Sequence, residues 1–203
     1  DDEQYLALHK VADSLNMSVL TEVSNEQEVS RALALNASLI GINNRDLRDL
    51  STDLATTERL RQLIPNDKVV ISESGIYTHK DVKRLAPLCD GFVIGSSLMA
   101  ERDLEAACRK VILGENKVCG LTRSQDAMAA YASGAVYGGL IFYPKSPRYV
   151  DIDCAKQVTQ SAPLAYVGVF VNAPLEQVVD YAQSLKLAAV QLHGDENSEY
   201  IQS

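Results

Sequence analysis

Two glutamates, Glu22 and Glu73, each close a short apolar run. A carboxyl group there can serve as acid, base or charge partner, because burial moves its pKa toward neutrality. The other reading is a buried carboxylate paired with Arg45 or a lysine, and the residues alone leave both open. Asn43 and Arg45 follow another run, SLIGIN. Two glycine–serine turns, Ser74-Gly75 and Gly95-Ser96, end neighbouring runs. Glycine lets the backbone approach a phosphate closely, and a helix starting behind it aims N–H groups at the anion. One such turn reads as a tight turn, and two in succession point toward phosphate. Cys119, beside Gly120, fits a small apolar filler or a thiolate acting as base or nucleophile. Arg148, behind a Lys-Ser-Pro loop, carries a planar fork that can clamp carboxylate or phosphate, or else is a solvated loop cation. His193, before Gly194, can contact a substrate or finish a turn.

These residues need elements to position them. About eight apolar runs recur, at 17–23, 38–43, 68–74, 91–96, 117–121, 137–143, 165–171 and 187–194. They are continuous rather than alternating, as strands buried on both faces of a parallel sheet are. Helical patterns lie between them and before the first, over 4–15, 26–35, 78–88, 103–113, 124–134 and 175–185. Ser24 offers a cap to the second, Thr78 with Asp81 opens the third, and Gly134 closes the fifth. Asn172 is read as the cap of the sixth, with Pro174 in its first turn. Strand and helix alternating about every 25 residues predicts βα units, at the short end of a (βα)8 barrel. A doubly wound open sheet is the structural alternative. In either, the active site lies at the carboxyl ends of the strands, where every residue named above falls.

The chain has 203 residues, 19 Lys and Arg against 27 Asp and Glu, and a net charge of -8. That balance argues against a nucleic-acid partner, because phosphate backbones need clustered cations. No apolar run approaches the roughly 18 residues of a spanning helix, so no membrane partner is expected. Cys89, Cys108, Cys119 and Cys154 form no CxxC, and His9, His79 and His193 are scattered. Neither a metal site nor a disulfide framework is expected, nor an organic cofactor, and the compartment reads as reducing and cytoplasmic. The start, DDEQYLALHK, reads as mid-helix and lacks an initiator Met, so the chain is expected to be a piece of something longer.

The motifs LTEVSN, IGINNRDL, VISESGI and FVIGSSLM make residues 1–113 resemble the C-terminal half of indole-3-glycerol-phosphate synthase. The motifs KVCGLTR, GGLIFYPKSPRYV, YVGVFVN and AVQLHGDE make residues 114–203 resemble the N-terminal half of phosphoribosylanthranilate isomerase. The order is that of the bifunctional enzyme of tryptophan biosynthesis, a carboxy-lyase followed by an Amadori isomerase, with a junction at Gly114-Glu115-Asn116. The resemblance implies that Glu22, Asn43, Arg45, Glu73 and Ser74 line the synthase site, and that Gly75, Gly95 and Ser96 cradle its phosphate. It implies that Cys119 is the isomerase general base and that Arg148 and His193 touch substrate. It implies also what is missing. The synthase lysines and a further glutamate belong to the other half of that enzyme, and the isomerase acid and phosphate loops to the other half of this one. Neither activity is expected to be complete, which leaves an inactive scaffold binding a phosphorylated ligand or phosphate as the second reading.

Four strands of each kind make eight. They are expected to close as one hybrid, circularly permuted TIM (βα)8 barrel, monomeric because closure removes exposed sheet edges. The alternative is two half-barrels, each burying its inner face in a homo-oligomer.

Overall fold

The structure is a computed structural model and describes residues 1–202. Ser203, the last residue of the second predicted segment, lies outside the described residues. The chain forms two compact units, Asp1–Val111 and Ile112–Ser203.

The first unit runs α1 (Asp2–Ser14), β1 (Leu20–Val23), α2 (Glu26–Ala34), β2 (Leu39–Asn43), α3 (Ala55–Arg61), β3 (Val69–Glu73), α4 (His79–Leu85), β4 (Gly91–Val93), α5 (Ser96–Met99) and α6 (Leu104–Leu113), the last ending past the unit boundary. Its strands make a parallel sheet in the order β1-β2-β3-β4. The second unit runs β5 (Lys117–Cys119), α7 (Ser124–Ala132), β6 (Tyr137–Ile141), α8 (Ile152–Ser161), β7 (Ala165–Phe170), α9 (Leu175–Ser184), β8 (Ala189–Leu192) and α10 (Ser198–Gln202), with a parallel sheet β5-β6-β7-β8. Sequential, parallel, helix-linked strands are the βα layout expected.

Each predicted run becomes a strand, shortened by up to three residues at an end, at the amino end in β1 and at the carboxyl end in β4. The helix starts are more particular. Thr78 caps α4 with a capping box completed by Asp81. The cap of α2 is Asn25 rather than Ser24. The Asn25 side chain accepts from the Glu28 amide, while the Ser24 amide and hydroxyl donate to the Glu28 carboxylate. Asn172 does not cap α9, whose N-cap is Pro174. Asn172 instead adopts a left-handed backbone, φ 51°, and its side chain bonds the turn after β8. Helix α3 has no side-chain cap at Leu54, and the Asp53 carboxylate one residue earlier accepts from the Ala55 amide instead.

In the first unit the core lies between sheet and helices. Ile40, Ile42, Val70 and Val23 pack against Val29 and Ala32 of α2 and against Leu60 of α3. The opposite face is not sealed. Leu20, Val69 and Val93 are 40%, 47% and 48% exposed. Burial on both faces, as the continuous apolar runs predict, is therefore not seen at these positions: the runs are apolar on a face that nothing within the unit covers. In the second unit Leu140, Tyr166 and Phe170 pack against α7, α8 and α9, with Phe142 stacked on Phe170 at 5.1 Å and meeting Tyr181 edge-on. The second sheet is curved enough that Lys117 of one edge strand donates to the Gln191 side chain of the other.

Candidate functional site

Ladder register puts the candidate residues of the first unit on one face. Glu22 pairs with Gly41, and Asn43 pairs with Glu73. Parallel pairing without stagger brings residues at the same level into side-by-side contact. Asn43, two residues beyond Gly41 on the same face, reaches diagonally, and its side-chain amide donates to the Glu22 carboxylate at 2.5 Å while its side-chain oxygen accepts from the Arg45 main-chain amide at 2.9 Å. A cavity of about 290 Å³ opens at the carboxyl ends of β2, β3 and β4. Its lining includes Asn43, Arg45, Glu73, Ser74, Gly75, Gly95 and Ser96, together with Leu47, Tyr77 and Ser97. All the candidates of this unit thus gather, with Glu22 joined through Asn43.

Glu73 is 9% exposed, and its Oε1 is buried without a hydrogen-bond partner. Burial, and then the neighbouring Glu22 carboxylate, push its pKa up. Among the described residues neither glutamate forms a salt bridge with Arg45 or a lysine, so the paired reading is not what the structure holds. A carboxyl held neutral at higher pH can donate a proton. Arg45 keeps a buried Nε with no partner at the cavity wall, a donor suited to an anion.

The turn after β3 is set by residues that sequence reasoning passed over. Ser74 and Gly75 both have left-handed backbones, φ 65° and 74°. A Cβ on Gly75 would lie 2.3 Å from Thr52, which an antiparallel bridge to Arg45 brings over the turn. Asn44, 2% exposed, holds it from behind. Its amide nitrogen lies 3.0 Å from the Ser72 hydroxyl and from the Glu73 and Ser74 carbonyls, and its oxygen accepts from the Thr57 amide and hydroxyl. The available signal was a second asparagine behind Asn43 in a strand-ending position.

In the second unit Cys119 is exposed at the end of β5, level with Gly139 of β6. A Cβ on Gly139 would lie 2.7 Å from the Cys119 sulfur. Gly120 has φ 84°, and its missing Cβ is filled by the Arg148 side chain, whose Nη1 donates to the Cys119 carbonyl at 3.3 Å. Cys119 and Arg148 are therefore together. His193 follows β8, two strands further on from β6, and its amide donates to the Phe170 carbonyl. The turn behind it is tied to the β7 end. Glu196 accepts from the amides of Asn172 and Gly194, and Asn172 accepts from the Asp195 amide. Burial raises the Glu196 pKa, but those backbone amides outweigh it and leave it below the usual range.

The four cysteines are free, and among the described residues no group of three or more His, Cys, Asp or Glu is placed to hold a metal. Among those residues no helix is long and apolar enough to cross a membrane.

Comparison with known proteins assigns each unit. The family model for indole-3-glycerol phosphate synthase matches residues 1–111, and that for N-(5'phosphoribosyl)anthranilate isomerase matches 116–203. The chain is 58% identical over 201 residues to the tryptophan biosynthesis protein TrpCF of Vibrio cholerae, covering 99% of this chain and 43% of that one. It is 59% identical over 201 residues to TrpCF of Yersinia pestis, covering 99% and 42%. The chain thus spans less than half the length of these curated relatives. Among solved structures, the phosphoribosyl anthranilate isomerase of Thermotoga maritima is 41% identical, covering 43% of this chain and 44% of that one at a TM-score of 0.42.

Proposed function

We propose, because the chain belongs to the indole-3-glycerol phosphate synthase family and continues into a phosphoribosylanthranilate isomerase segment, that it supplies half of each of two active sites of tryptophan biosynthesis. Residues 1–113 form the synthase half and 114–203 the isomerase half. In the first, Glu22 and Glu73 handle protons, Asn43, Arg45 and Ser74 contact the substrate, and Gly75, Gly95 and Ser96 take its phosphate. In the second, Cys119 is the general base, and Arg148 and His193 contact the phosphorylated substrate. The setting is cytoplasmic, and the reading calls for no metal or organic cofactor.

The observation that carries this is the cavity of the first unit, where a raised carboxyl, an unpartnered arginine nitrogen and two glycine–serine turns converge. Calorimetric titration with indole-3-glycerol phosphate and with inorganic phosphate tests it. Saturable binding is expected, weakened about tenfold or more by Arg45→Ala, since a lost charge-assisted contact is worth on the order of 1.5–3 kcal/mol. No binding of either probe overturns the reading. Assays of both activities on the chain alone are expected to stay at background.

The finer architecture proposed is a single hybrid (βα)8 ring. Four parallel strands in each unit, summing to the barrel number, support it. Light scattering is expected to give a monomer of 22.1 kDa, whereas an obligate homo-oligomer supports the half-barrel alternative. On the hybrid reading Asn43 stands where the isomerase acid belongs. Asn43→Asp should then raise turnover of phosphoribosylanthranilate, and equal rates in variant and parent would remove the shared geometry.

A further inference from the structure

Gly41 sits inside β2, between Leu39-Ile40 and Ile42, and is paired on both sides, to Glu22 and to Ile71. A glycine costs stability in a strand interior, where a β-branched residue would suit the ladder better. Its backbone does not require glycine, because the positive-φ glycines are Gly75, Gly114, Gly120 and Gly134. Space does require it. A Cβ built on Gly41 would lie 2.0 Å from the Glu73 Oε1 and 3.0 Å from its Cδ. The remaining neighbour, the Leu20 Cδ1 at 3.3 Å, is the end of a flexible side chain.

The Glu73 carboxyl is thus folded back from its own strand onto the bare backbone of the next. This accounts for an otherwise unexplained fact, that an acidic oxygen is buried with no hydrogen-bond donor beside it. Elsewhere in the molecule carboxylates take amide or guanidinium partners, as Glu196, Asp81 and Glu58 do. We infer that Gly41 is a positioning residue for Glu73, its missing side chain forming the berth in which the carboxyl group is held away from water and from cations. The claim that this carboxyl then serves the chemistry rests on the synthase reading of the cavity; the berth itself does not.

With any side chain at position 41 the Glu73 carboxyl must swing out toward the cavity and water, and desolvation, the larger cause of its raised pKa, must fall. The test is a carbon-13 carboxyl NMR titration of the intact chain, with the Glu73 resonance assigned by Glu73→Gln. In the parent Glu73 is expected to titrate above the ordinary glutamate range, and in Gly41→Ala its midpoint should drop toward that range while amide spectra away from the cavity stay unchanged. A folded Gly41→Ala with an unmoved Glu73 titration overturns the berth. If Gly41→Ala fails to fold, Gly41→Ala/Glu73→Ala decides, because truncating Glu73 vacates the space: a folded double variant supports the berth, and an unfolded one overturns it. Titration with indole-3-glycerol phosphate separates the two claims. Its failure to bind, with the midpoint shift intact, removes the synthase reading and leaves the berth standing.

Discussion

In residues 1–111 the turn that carries the candidate chemistry hangs from one buried side chain, Asn44, which contacts three acceptors and accepts from Thr57 behind the sheet. In the second unit the corresponding work is done at the surface, where Asn172 and Glu196 tie the end of β7 to the turn after β8. The glycines differ in the same sense. Gly41 yields its space to the flexible end of the Glu73 side chain, whereas a Cβ on Gly139 would lie 2.7 Å from the Cys119 sulfur and 3.0 Å from the Cys119 Cα, backbone that cannot swing aside. A mouth built from buried polar contacts is rigid and intolerant of loss, because each orphaned group pays its full desolvation penalty. One tied by exposed contacts can exchange them for water.

The comparison breaks most easily at Asn44. Asn44→Ala takes the side-chain partner from the Thr57 amide and the Ser74 carbonyl, while the Ser72 and Thr57 hydroxyls keep each other and the Glu73 carbonyl keeps the main-chain amide of position 44; it should cost about 3 kcal/mol in urea unfolding of the first unit. Asn172→Ala should cost about 1 kcal/mol or less in the second; equal losses would end the distinction. Next is Gly139→Ala, expected to destabilise by roughly 1–3 kcal/mol because strand backbone must move. Gly41→Ala displaces only a side-chain end and should cost less.

The pH dependences should oppose one another. Glu73 has a raised pKa in the folded state, so its contribution is fully present below the ordinary glutamate range and is lost as pH rises through the elevated value. Glu73→Gln should remove that decline from stability curves taken between acid and neutral pH. Glu196 has a lowered pKa, so its contribution is present above the ordinary range and is lost as pH falls through the depressed value. The smallest effect expected is that of Glu196→Gln. It should leave the unfolding midpoint nearly unchanged while hydrogen exchange at the Gly194 and Asn172 amides accelerates, and unaltered exchange would show that Glu196 ties nothing.

Much of the scaffold was legible because strand burial and helix capping are local signals. The eight apolar runs and the Thr78–Asp81 capping box are read from neighbours in the chain. The candidates of the first unit were legible too, since strand ends in a parallel sheet share one edge, and the cavity gathers them. Asn172 was misread because Asn-x-Pro before a helix satisfies the capping pattern, while its actual partner, the Asp195 amide, lies 23 residues away. Asn44 was passed over for the same reason, its partners being 13 to 30 residues distant. Helix α3 was passed over because its cap position is Leu54, while the side chain that meets its first amide is that of Asp53, one residue earlier.

The eight strands, most of the longer helices and the residues placed at the strand ends follow from amino-acid types and spacing, since periodicity and chain direction decide which side chains reach the mouth, and the family of each segment follows from the resemblance of its motifs. Tertiary structure alone decided that Glu73 is an unpaired, buried carboxyl rather than half of an ion pair, and that Gly41 and Gly139 are spaces rather than hinges. A glycine in a strand carries no information about its purpose until the neighbouring strand is in register beside it, because what it makes room for belongs to another part of the chain.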